Sequence, residues 1–383
     1  MLAELPIDRY GSATVISLTY PLERLPGHNP HEGRLMKRLT TLVGFLLIAA
    51  LALSGCSSTS ATAEKVEGFT GTTELPSGTV GILNNLGSSE TLTHWQNTAT
   101  DALGKVGWTA VVADGKGDPA VYAQSLSSFV QQKVDGIIIL GGFQTGPIAE
   151  PLRAAHDAGI PVLALGINSP DPDKLITAQY APDDAEFGVV LGNYLKEKLP
   201  AGSEWVALTL TAQEGANAPN VAAVEVLEPA GFPRVGTVDL NISGDIPSQV
   251  SKGATDLLRA HPDAAALMTC CDFTATLSAP ALAEAGYPDV INAVRYDNLS
   301  ILDLIRAGKP VVTAGANTDT SILIGIDQLL AYKASGTAFD VNAQEGVAKF
   351  VVIDKDNVPA EGFYFDPQEQ IETFLTKWKA EYK

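Results

Sequence analysis

The side chains best suited to chemistry in this chain are carboxylates and amides that come just after short apolar runs. Open α/β sheets bind ligands outside the carboxyl ends of their strands, where helix starts present free backbone N–H groups. A carboxylate accepts hydrogen bonds from neighbouring hydroxyl groups, which suits a sugar or a polyol. The positions after the predicted strands therefore form a candidate ligand pocket: Asn84, Asn85, Ser89, Glu90, Phe143, Gln144, Gly166, Asn168, Gln213, Glu214, Asn217, Asp272, Asp297 and Asn317.

The charge balance restricts both the ligand and the partners. Removing residues 1–55 takes away five basic and four acidic side chains, which leaves 20 basic against 40 acidic groups, a net charge of −20. Such a surface repels nucleic acid and anionic lipid headgroups. A carboxylate or phosphate ligand is normally held by Arg or Lys, and only five arginines remain. The composition therefore favours a neutral polyhydroxyl ligand or a cation.

Residues 36–56 have the pattern of an export signal that ends in a lipid-attachment site. Met36-Lys37-Arg38 is a positive start, Leu39 to Leu53 is apolar, and Leu53-Ser54-Gly55-Cys56 is a small-residue cleavage site. The apolar run has 15 residues, whereas a helix needs about 20 to cross a bilayer. We expect a lipoprotein, exported and held by acyl chains on Cys56 at the outer face of the cytoplasmic membrane.

The segments around this signal complete the N-terminal organisation. The signal peptide is expected at 36–55 and a linker rich in Ser, Thr, Ala, Glu and Gly at 56–78. Residues 1–35 precede the natural start of such a signal and carry no periodic pattern, which indicates a start codon assigned too early.

Cys270 and Cys271 are the only cysteines after Cys56. A zinc site needs four ligands, and two adjacent thiols with three scattered histidines do not provide them, so neither metal nor cofactor is expected. Exported proteins meet oxidising conditions. The pair is therefore either two small buried residues or a strained vicinal disulfide that faces the pocket, and both alternatives remain open.

The chain carries no enzyme signature. It lacks the Gly-x-Ser-x-Gly elbow, the phosphate-binding Gly-x-x-x-x-Gly-Lys and the His-Glu-x-x-His motif. Gly141-Gly142 is interpreted as a tight strand-to-helix turn. A DNA-binding regulator is excluded by the N-terminal signal and by the negative charge. These patterns favour a binding protein, not an enzyme.

From residue 79 onward, short apolar runs alternate with helix-length amphipathic stretches, which is typical of a parallel sheet covered by helices on both faces. The first half predicts strands at 80–83, 109–113, 136–140 and 162–165, with helices near 91–105, 119–132 and 148–158. The second half predicts strands at 205–210, 235–240, 265–269 and 291–296, with helices near 218–229, 247–260, 275–285 and 299–307.

Four further segments fall outside these two repeats. Extended segments are predicted at 176–180 and 311–316, a helix near 320–334 and a strand at 349–353. The pattern predicts an α/β protein with two doubly wound parallel-sheet lobes joined by a hinge. We assign 79–178 and 315–347 to the N-terminal lobe, and 179–314 and 348–383 to the C-terminal lobe.

Three phrases in the chain carry a family resemblance. Val134-Asp135-Gly136-Ile137-Ile138-Ile139 enters the third strand, Ala158-Gly159-Ile160-Pro161-Val162 enters the fourth, and Ala260-His261-Pro262-Asp263 precedes the strand that ends at Cys270. In order and spacing the chain resembles the periplasmic sugar-binding proteins of the ribose and xylose type over about 79–352. These are type I periplasmic binding proteins, the receptors of ABC importers. The resemblance implies two lobes with three crossovers and no catalytic residues.

The resemblance also implies roles for particular residues. Asp297 matches the family aspartate that accepts hydrogen bonds from sugar hydroxyls, Trp95 matches the tryptophan of the xylose-type first helix, and Asn217 matches a polar contact residue. The chain departs from the family pattern where an Asp-Arg pair is replaced by Gly166-Ile167 and where an asparagine is replaced by Cys271. Gly87-Ser88-Ser89-Glu90 replaces the ribose binders' Asn-Pro-Phe-Phe motif. These departures argue against a common pentose ligand.

The combined expectation is a monomeric solute-binding lipoprotein that delivers a monosaccharide or sugar alcohol to the permease and ATPase subunits of an ABC importer. The expected ligand contacts are Asn84, Asn85, Ser89, Glu90, Trp95, Phe143, Gln144, Asn168, Glu214, Asn217, Cys271, Asp272, Asp297 and Asn317. Two alternatives remain, a nucleoside or signalling-molecule receptor of the same fold and a cell-surface carbohydrate-modifying enzyme.

Overall fold

The computed structural model describes residues 68–383. The signal peptide, the expected anchor on Cys56 and most of the linker lie outside the described residues. The first sheet has five parallel strands in the order β2-β1-β3-β4-β5. The bounds are β1 Thr79–Asn84, β2 Thr109–Asp114, β3 Gly136–Leu140, β4 Val162–Leu165 and β5 Ala178–Tyr180.

Helices cover both faces of this sheet, and each begins where the sequence supplies a cap or an acidic first turn. Ser89 accepts a hydrogen bond from the Leu92 N–H at the start of the first helix, and Asp118 accepts one from Ala120 at the start of the second. The helices between the strands are α1 Glu90–Lys105, α2 Pro119–Gln132 and α3 Ala149–Asp157.

The second sheet has six strands in the order β11-β10-β9-β8-β6-β7. All neighbours run parallel except β11, which is antiparallel to β10. The bounds are β6 Trp205–Thr209, β7 Arg234–Asp239, β8 Ala266–Thr269, β9 Ile291–Arg295, β10 Val311–Ala316 and β11 Phe350–Ile353. Its helices are α4 Asp184–Lys198, α5 Glu214–Leu227, α6 Ile246–Ala260, α7 Asp272–Glu284 and α8 Leu299–Arg306.

The prediction of two doubly wound α/β lobes is confirmed, with corrections at its edges. Helix α4 was not predicted, because Gly188 and Gly192 lower the helix propensity of its sequence. A Cβ at Gly188 would collide with the backbone of Pro219, so this glycine permits α4 to pack closely on α5. Helices α5 and α7 also begin three or four residues before their predicted starts, which brings Glu214 and Asp272 into the first turn of a helix.

The boundary between the lobes differs from the predicted one at three places. The whole of β5 lies in the first sheet, so the chain crosses after Tyr180, not at 178. All of β10 lies in the second sheet, so the next crossing comes after Ala316. Helices α9 Thr318–Ser335 and α10 Pro367–Glu381 both pack on the first lobe, although 348–383 was assigned to the second lobe and no helix was predicted at 367–381.

The position of α10 has a physical cause. One face of this helix buries Ile371, Leu375 and Trp378. The Trp378 indole donates to Asp327 on α9 at 2.9 Å, and the Lys377 ammonium pairs with the same carboxylate at 2.6 Å. Because α10 returns to the first lobe after β11, the chain crosses between lobes four times, once more than the resemblance implied.

Candidate functional site

Three helix starts meet between the lobes. Helix α1 begins after β1 in the first lobe, while α7 and α8 begin after β8 and β9 in the second. Ser89 caps α1, Cys271 is the N-cap position of α7, and Asn298 caps α8 by accepting from the Ile301 N–H. The first amides of a helix lack intrahelical partners and favour negative charge nearby. The fold therefore concentrates free donors and positive dipole ends at this junction.

The Asp272 carboxylate fills the centre of the junction. It accepts hydrogen bonds from the Thr91 N–H at 3.0 Å, from the Ser89 hydroxyl at 3.1 Å and from the Asn298 amide at 3.1 Å. The residue is 3% exposed. Since Asp272 belongs to α7 and Ser89 and Thr91 belong to the first lobe, this side chain ties the two lobes together.

Further hydrogen bonds join the lobes around Asp272, and one of them runs from the Asn298 amide to the Thr91 hydroxyl at 3.3 Å. The Ser300 N–H donates to Glu90 Oε1 at 3.2 Å, the Gln144 amide donates to the Ala212 carbonyl at 2.8 Å, and the Ser243 hydroxyl donates to the Gly117 carbonyl at 2.8 Å. The structure therefore has the lobes closed directly on each other.

A small cavity, the central compartment, lies beside Asp272 between the lobes. Its polar lining comes from both lobes: Asn85, Ser89, Gln213, Asp272, Arg295 and Tyr296. Asn85 Oδ1, Arg295 Nε and Tyr296 Oη are buried and have no hydrogen-bond partner among the described residues. The cavity volume is about 30 Å³, and a water needs about 10–15 Å³. A ligand larger than two waters must therefore separate the lobes.

The one arginine of the central compartment is already neutralised. The Arg295 guanidinium pairs with Asp184 at 3.0 Å, donates to the Gly215 carbonyl at 3.2 Å and stacks 4.6 Å from the Tyr296 ring centre. Burial raises the pKa of Asp184, and the positive charge of Arg295 opposes that shift. Among the described residues, Asp272 takes part in no ion pair. The compartment thus presents one uncompensated carboxylate.

A second cavity, the acidic compartment, lies behind Thr91 and Tyr296, which line both cavities. It is defined by His94, Asp297, Asp319, Phe363 and Phe365, and its volume is about 20 Å³. His94 Nε2 lies 2.9 Å from Asp319, and the Thr98 hydroxyl donates to the same carboxylate at 2.5 Å. The Phe363 ring lies 4.5 Å from the His94 ring, between centres.

The pKa values of Asp297 and His94, both in the acidic compartment, are raised above their ordinary values. Burial raises the pKa of Asp297 to about 7, the charge of Asp319 adds to the shift, and the charge of His94 opposes it together with two backbone amides. Burial lowers the pKa of His94, but the hydrogen bond and the charge of Asp319 outweigh it, and the net shift is upward. Both groups therefore hold their protons to higher pH than in water.

The structure brings eight of the predicted contacts to the lobe junction. Asn85, Ser89, Cys271 and Asp272 line the central compartment. Trp95 and Asp297 line the acidic compartment, where the buried Trp95 ring meets Tyr296 edge to face at 5.1 Å. Glu90 and Gln144 make direct hydrogen bonds between the lobes. Asp297 and Asp272 thus face different cavities, although the sequence placed them in one pocket.

The other predicted contacts have different surroundings. Asn84 forms hydrogen bonds with Gln96 and with the Leu86 N–H within its own lobe, so its polar groups already have partners. Phe143 packs in the apolar core of the first lobe. Asn317 bonds Thr320 and the Lys349 N–H at a crossing segment. Asn168 forms hydrogen bonds with Asp184 and with the Pro182 carbonyl at another crossing segment.

The last two predicted contacts lie at the start of α5. Glu214 is exposed, and Asn217 has a buried side-chain oxygen that lacks a partner among the described residues.

Sequence reasoning missed several residues of the two compartments. Arg295 is the last residue of β9 and Tyr296 follows it, directly before the predicted contact Asp297, while Thr91 is the second residue of α1. The strand-end signal selected the right loops but not these residues. Phe363 and Phe365 belong to the segment between β11 and α10, for which the sequence offered no signal.

Residues 68–383 were compared with two further kinds of site, a metal centre and a membrane-spanning helix, and match neither. This part of the chain contains no group of three or more His, Cys, Asp or Glu side chains arranged to hold a metal ion. It also contains no helix with the length and apolar character needed to cross a membrane.

Comparison with known sequences gives one family. The sequence profile of the periplasmic binding protein domain matches residues 80–337. The D-ribose/D-allose-binding protein of Pseudomonas aeruginosa is 24% identical over 243 residues, which cover 59% of this chain and 73% of that protein. The ribose import binding protein RbsB of Escherichia coli is 26% identical over 269 residues, 67% of this chain and 79% of that protein.

Solved structures with the same fold span most of the chain. A galactofuranose-binding protein superposes with a TM-score of 0.65 at 20% identity and covers 78% of this chain and 99% of its own. The myo-inositol-binding protein of Caulobacter, solved with myo-inositol, has a TM-score of 0.64 at 19% identity and covers 73% and 94%. At these identities the likeness establishes a shared two-lobed architecture.

Proposed function

The chain belongs to the periplasmic binding protein family, and from that premise we propose that it is an extracytoplasmic solute-binding protein of an ABC importer. Its ligand would be a small neutral polyhydroxyl molecule, a monosaccharide or a sugar alcohol. The observation that carries this proposal is the central compartment, where polar groups from both lobes converge on a closed interface. The importer's permease and ATPase subunits would be its partners.

The charges of the compartment support a neutral ligand. Arg295 is paired with Asp184, so an anionic ligand would face the Asp272 carboxylate without a free cation to hold it. Hydroxyl groups suit the available partners, since Asn85 Oδ1 and Asp272 accept hydrogen bonds while Arg295 Nε donates one. The relatives are named for ribose, allose, galactofuranose and myo-inositol, which are all neutral polyhydroxyl compounds.

The mechanism would be capture and presentation without a chemical step. The lobes must separate to admit a monosaccharide, because the closed compartment holds about two waters. A ligand then favours the closed form to the extent that it contacts both lobes. Its hydroxyls would compete with, or bridge between, Asp272 and the donors of Ser89 and Thr91. The closed protein would be the form that the permease recognises.

Attachment to the membrane is a separate part of the proposal. The lipoprotein signal that ends at Cys56 supports acylation of that residue after export. The chain would then work as a monomer held at the outer face of the cytoplasmic membrane, with the linker giving the lobes reach.

A thermal-shift panel of the mature chain tests the ligand class. The panel contains pentoses, hexoses, cyclitols and nucleosides at millimolar concentration. A ligand present at about 100 times its dissociation constant adds about 2.7 kcal/mol to the free energy of unfolding. We expect stabilisation by a sugar or cyclitol and reduced binding in Asp272→Asn.

Controls separate the alternatives. Glu284→Gln, at an exposed residue that is not among the expected contacts, should bind as the unmodified chain does. A shift with nucleosides alone would replace the sugar proposal with a nucleoside receptor, and turnover of any panel sugar would replace it with an enzyme. Absence of a shift with every sugar and cyclitol at saturating concentration would contradict the proposal.

A further inference from the structure

Two adjacent cysteines lie in the wall of the central compartment. Cys270 and Cys271 follow β8, and their sulfur atoms are 2.7 Å apart. Cys270 is 0% exposed and Cys271 is 8% exposed. Cys271 lines the compartment and occupies the N-cap position of α7, directly before Asp272. A pair of thiols in contact is thus joined by one peptide bond to the carboxylate that ties the lobes together.

We propose that Cys270 and Cys271 form a redox site that controls lobe closure. The dithiol form keeps Asp272 at the start of α1, and oxidation to a vicinal disulfide releases it and favours the open form. The inference concerns the lobe junction itself, so its tests need no ligand and their outcome does not depend on the ligand proposal.

The covalent step balances as a thiol–disulfide exchange. One cysteine thiolate attacks a sulfur of a low-molecular-weight disulfide, forms a mixed disulfide and expels one thiolate. The neighbouring cysteine thiolate then attacks the protein sulfur, closes the vicinal disulfide and expels the second thiolate. The two cysteines lose two electrons and two protons, and the donor disulfide gains them as two thiols. Exported proteins meet donors of this class outside the cytoplasm.

Closure limits access to the pair. In the closed structure only a small part of Cys271 reaches the cavity, and Cys270 lies in the core of the second lobe. Burial also raises the pKa of the Cys271 thiol well above its ordinary value, and the adjacent Cys270 adds to that shift. The thiolate is the reactive form. Oxidation therefore starts from the open form, by attack of Cys271.

The geometry of the ring explains the effect on Asp272. Neighbouring Cα atoms are about 3.8 Å apart, shorter than the about 4.4–6.8 Å that disulfides normally span, so closing the ring must change backbone angles at the pair. Cys271 now has an extended backbone, φ −146° and ψ 153°, which directs the start of α7. Changing it turns Asp272 away from the Ser89 hydroxyl and the Thr91 N–H.

The first measurement is the mass and thiol content of the mature chain after incubation with glutathione disulfide. We expect the loss of two hydrogens, no retained glutathione and no alkylation at either cysteine. Two alkylatable thiols after prolonged incubation would overturn the proposal, as would glutathione held on Cys271 as the final product.

The second measurement is hydrogen–deuterium exchange of the peptide that contains Thr91. Its N–H is bonded to Asp272, and hydrogen bonds to charged groups slow exchange by about tenfold or more. We expect exchange about tenfold faster in the oxidised chain, restored by a reductant, and equally fast in Asp272→Ala, which lacks an acceptor for the Thr91 N–H. Small-angle scattering should show a larger radius of gyration for the oxidised chain.

Cys271→Ser is the matched control, because serine is also a favourable N-cap and leaves only the buried Cys270. Its exchange should match the reduced chain with or without glutathione disulfide. A vicinal disulfide that leaves the Thr91 exchange rate unchanged would overturn the proposal, and so would an equal response of Cys271→Ser to the oxidant. Oxidation and reduction of the unmodified chain keep the test valid if the variant does not fold.

Discussion

Two carboxylates at the lobe junction show how strongly surroundings decide the role of a residue. Asp272 and Asp297 each follow a strand of the second sheet and each lies near the start of a helix. Asp272 lines the central compartment and accepts three hydrogen bonds from residues at helix starts. Asp297 faces Asp319 and His94 in a separate cavity, and its pKa is raised to about 7 because burial and a like charge disfavour ionisation. The first binds the lobes together, and the second is a source of pH dependence.

Asp297→Asn should change how stability depends on pH. The pKa of Asp297 rises from 3.8 to about 7 on folding, so between pH 4 and 7 the unfolded chain loses a proton that the folded chain keeps. The free energy of unfolding therefore falls as pH rises through that window and stays low above it. The variant should equal the unmodified chain near pH 4 and exceed it by about 1–3 kcal/mol at pH 8.

Urea denaturation at pH 4.5, 6 and 8 measures the effect of Asp297→Asn. The raised pKa of His94 acts in the same direction, since its stabilisation is lost as pH rises through the folded-state value, and it is present in both proteins. Asp289→Asn, at an exposed carboxylate, is the control and should leave the pH profile unchanged. A difference of equal size at all three pH values would contradict the prediction. The same variant tests Asp297 as a sugar contact, once a ligand is known.

At the scale of elements, the buried face of α10 determines which lobe this helix packs on. Its caps and spacing are those of an ordinary amphipathic helix, with Asp366 accepting from the Gln368 N–H at the start. The buried side of the helix joins the core of the first lobe beside α9 and α1, after the chain has already built β11 in the second lobe. The intervening segment then supplies Phe363 and Phe365 to the acidic compartment.

Trp378→Ala should destabilise the first lobe strongly. The indole is fully buried and donates to Asp327, so the change creates a cavity and leaves a buried carboxylate with one partner fewer. We expect a loss of about 3–5 kcal/mol in the free energy of unfolding. Lys377→Ala removes the half-exposed partner of the same carboxylate and should cost about 1 kcal/mol or less.

Chemical denaturation followed by far-ultraviolet circular dichroism compares the two α10 variants. Equal losses for Trp378→Ala and Lys377→Ala would show that α10 is held through its charge and not through its buried face.

At the scale of the whole molecule, the junction between the lobes combines direct hydrogen bonds with apolar contact, such as that between Trp95 and Tyr296. Its direct hydrogen bonds include those of Asp272, Glu90, Gln144, Ser243 and Asn298, and the enclosed space beside them holds about two waters. Hydrogen bonds of this kind contribute about 0.5–3 kcal/mol each after exchange with water. A ligand that contacts both lobes is therefore able to compete with the direct hydrogen bonds between the lobes. The difference in free energy between the ligand contacts and those direct bonds sets the affinity for the ligand.

Cys56→Ser tests the anchor of the whole molecule. Acyl chains on Cys56 would supply the membrane affinity, because each buried methylene contributes about 0.8 kcal/mol. In cells that make the protein, we expect the variant to leave the membrane fraction, while Cys270→Ser stays there as the control. Fractionation followed by immunoblotting of both proteins measures this. A mature-length Cys56→Ser protein that still sediments with membranes would refute the anchor.

The sequence by itself determined the features that depend on local pattern. Alternating apolar runs and amphipathic stretches predicted all strands of both sheets within about two residues, because burial between helix layers demands those runs. The strand-end rule then selected the loops of Asn85, Ser89 and Asp272, since parallel strands end at one edge of a sheet.

Only the tertiary structure decided which of those residues meet. Ser89 and Asp272 lie 183 positions apart, and their contact depends on the angle at which two lobes close, which no local spacing encodes. The position of α10 also depends on tertiary structure. Its apolar face does not by itself specify a lobe, and it packs on the first lobe, where the Trp378 indole donates to Asp327. The separation of Asp297 from Asp272 also arises this way, because Thr91 and Tyr296 come from different lobes and form the shared wall only after closure.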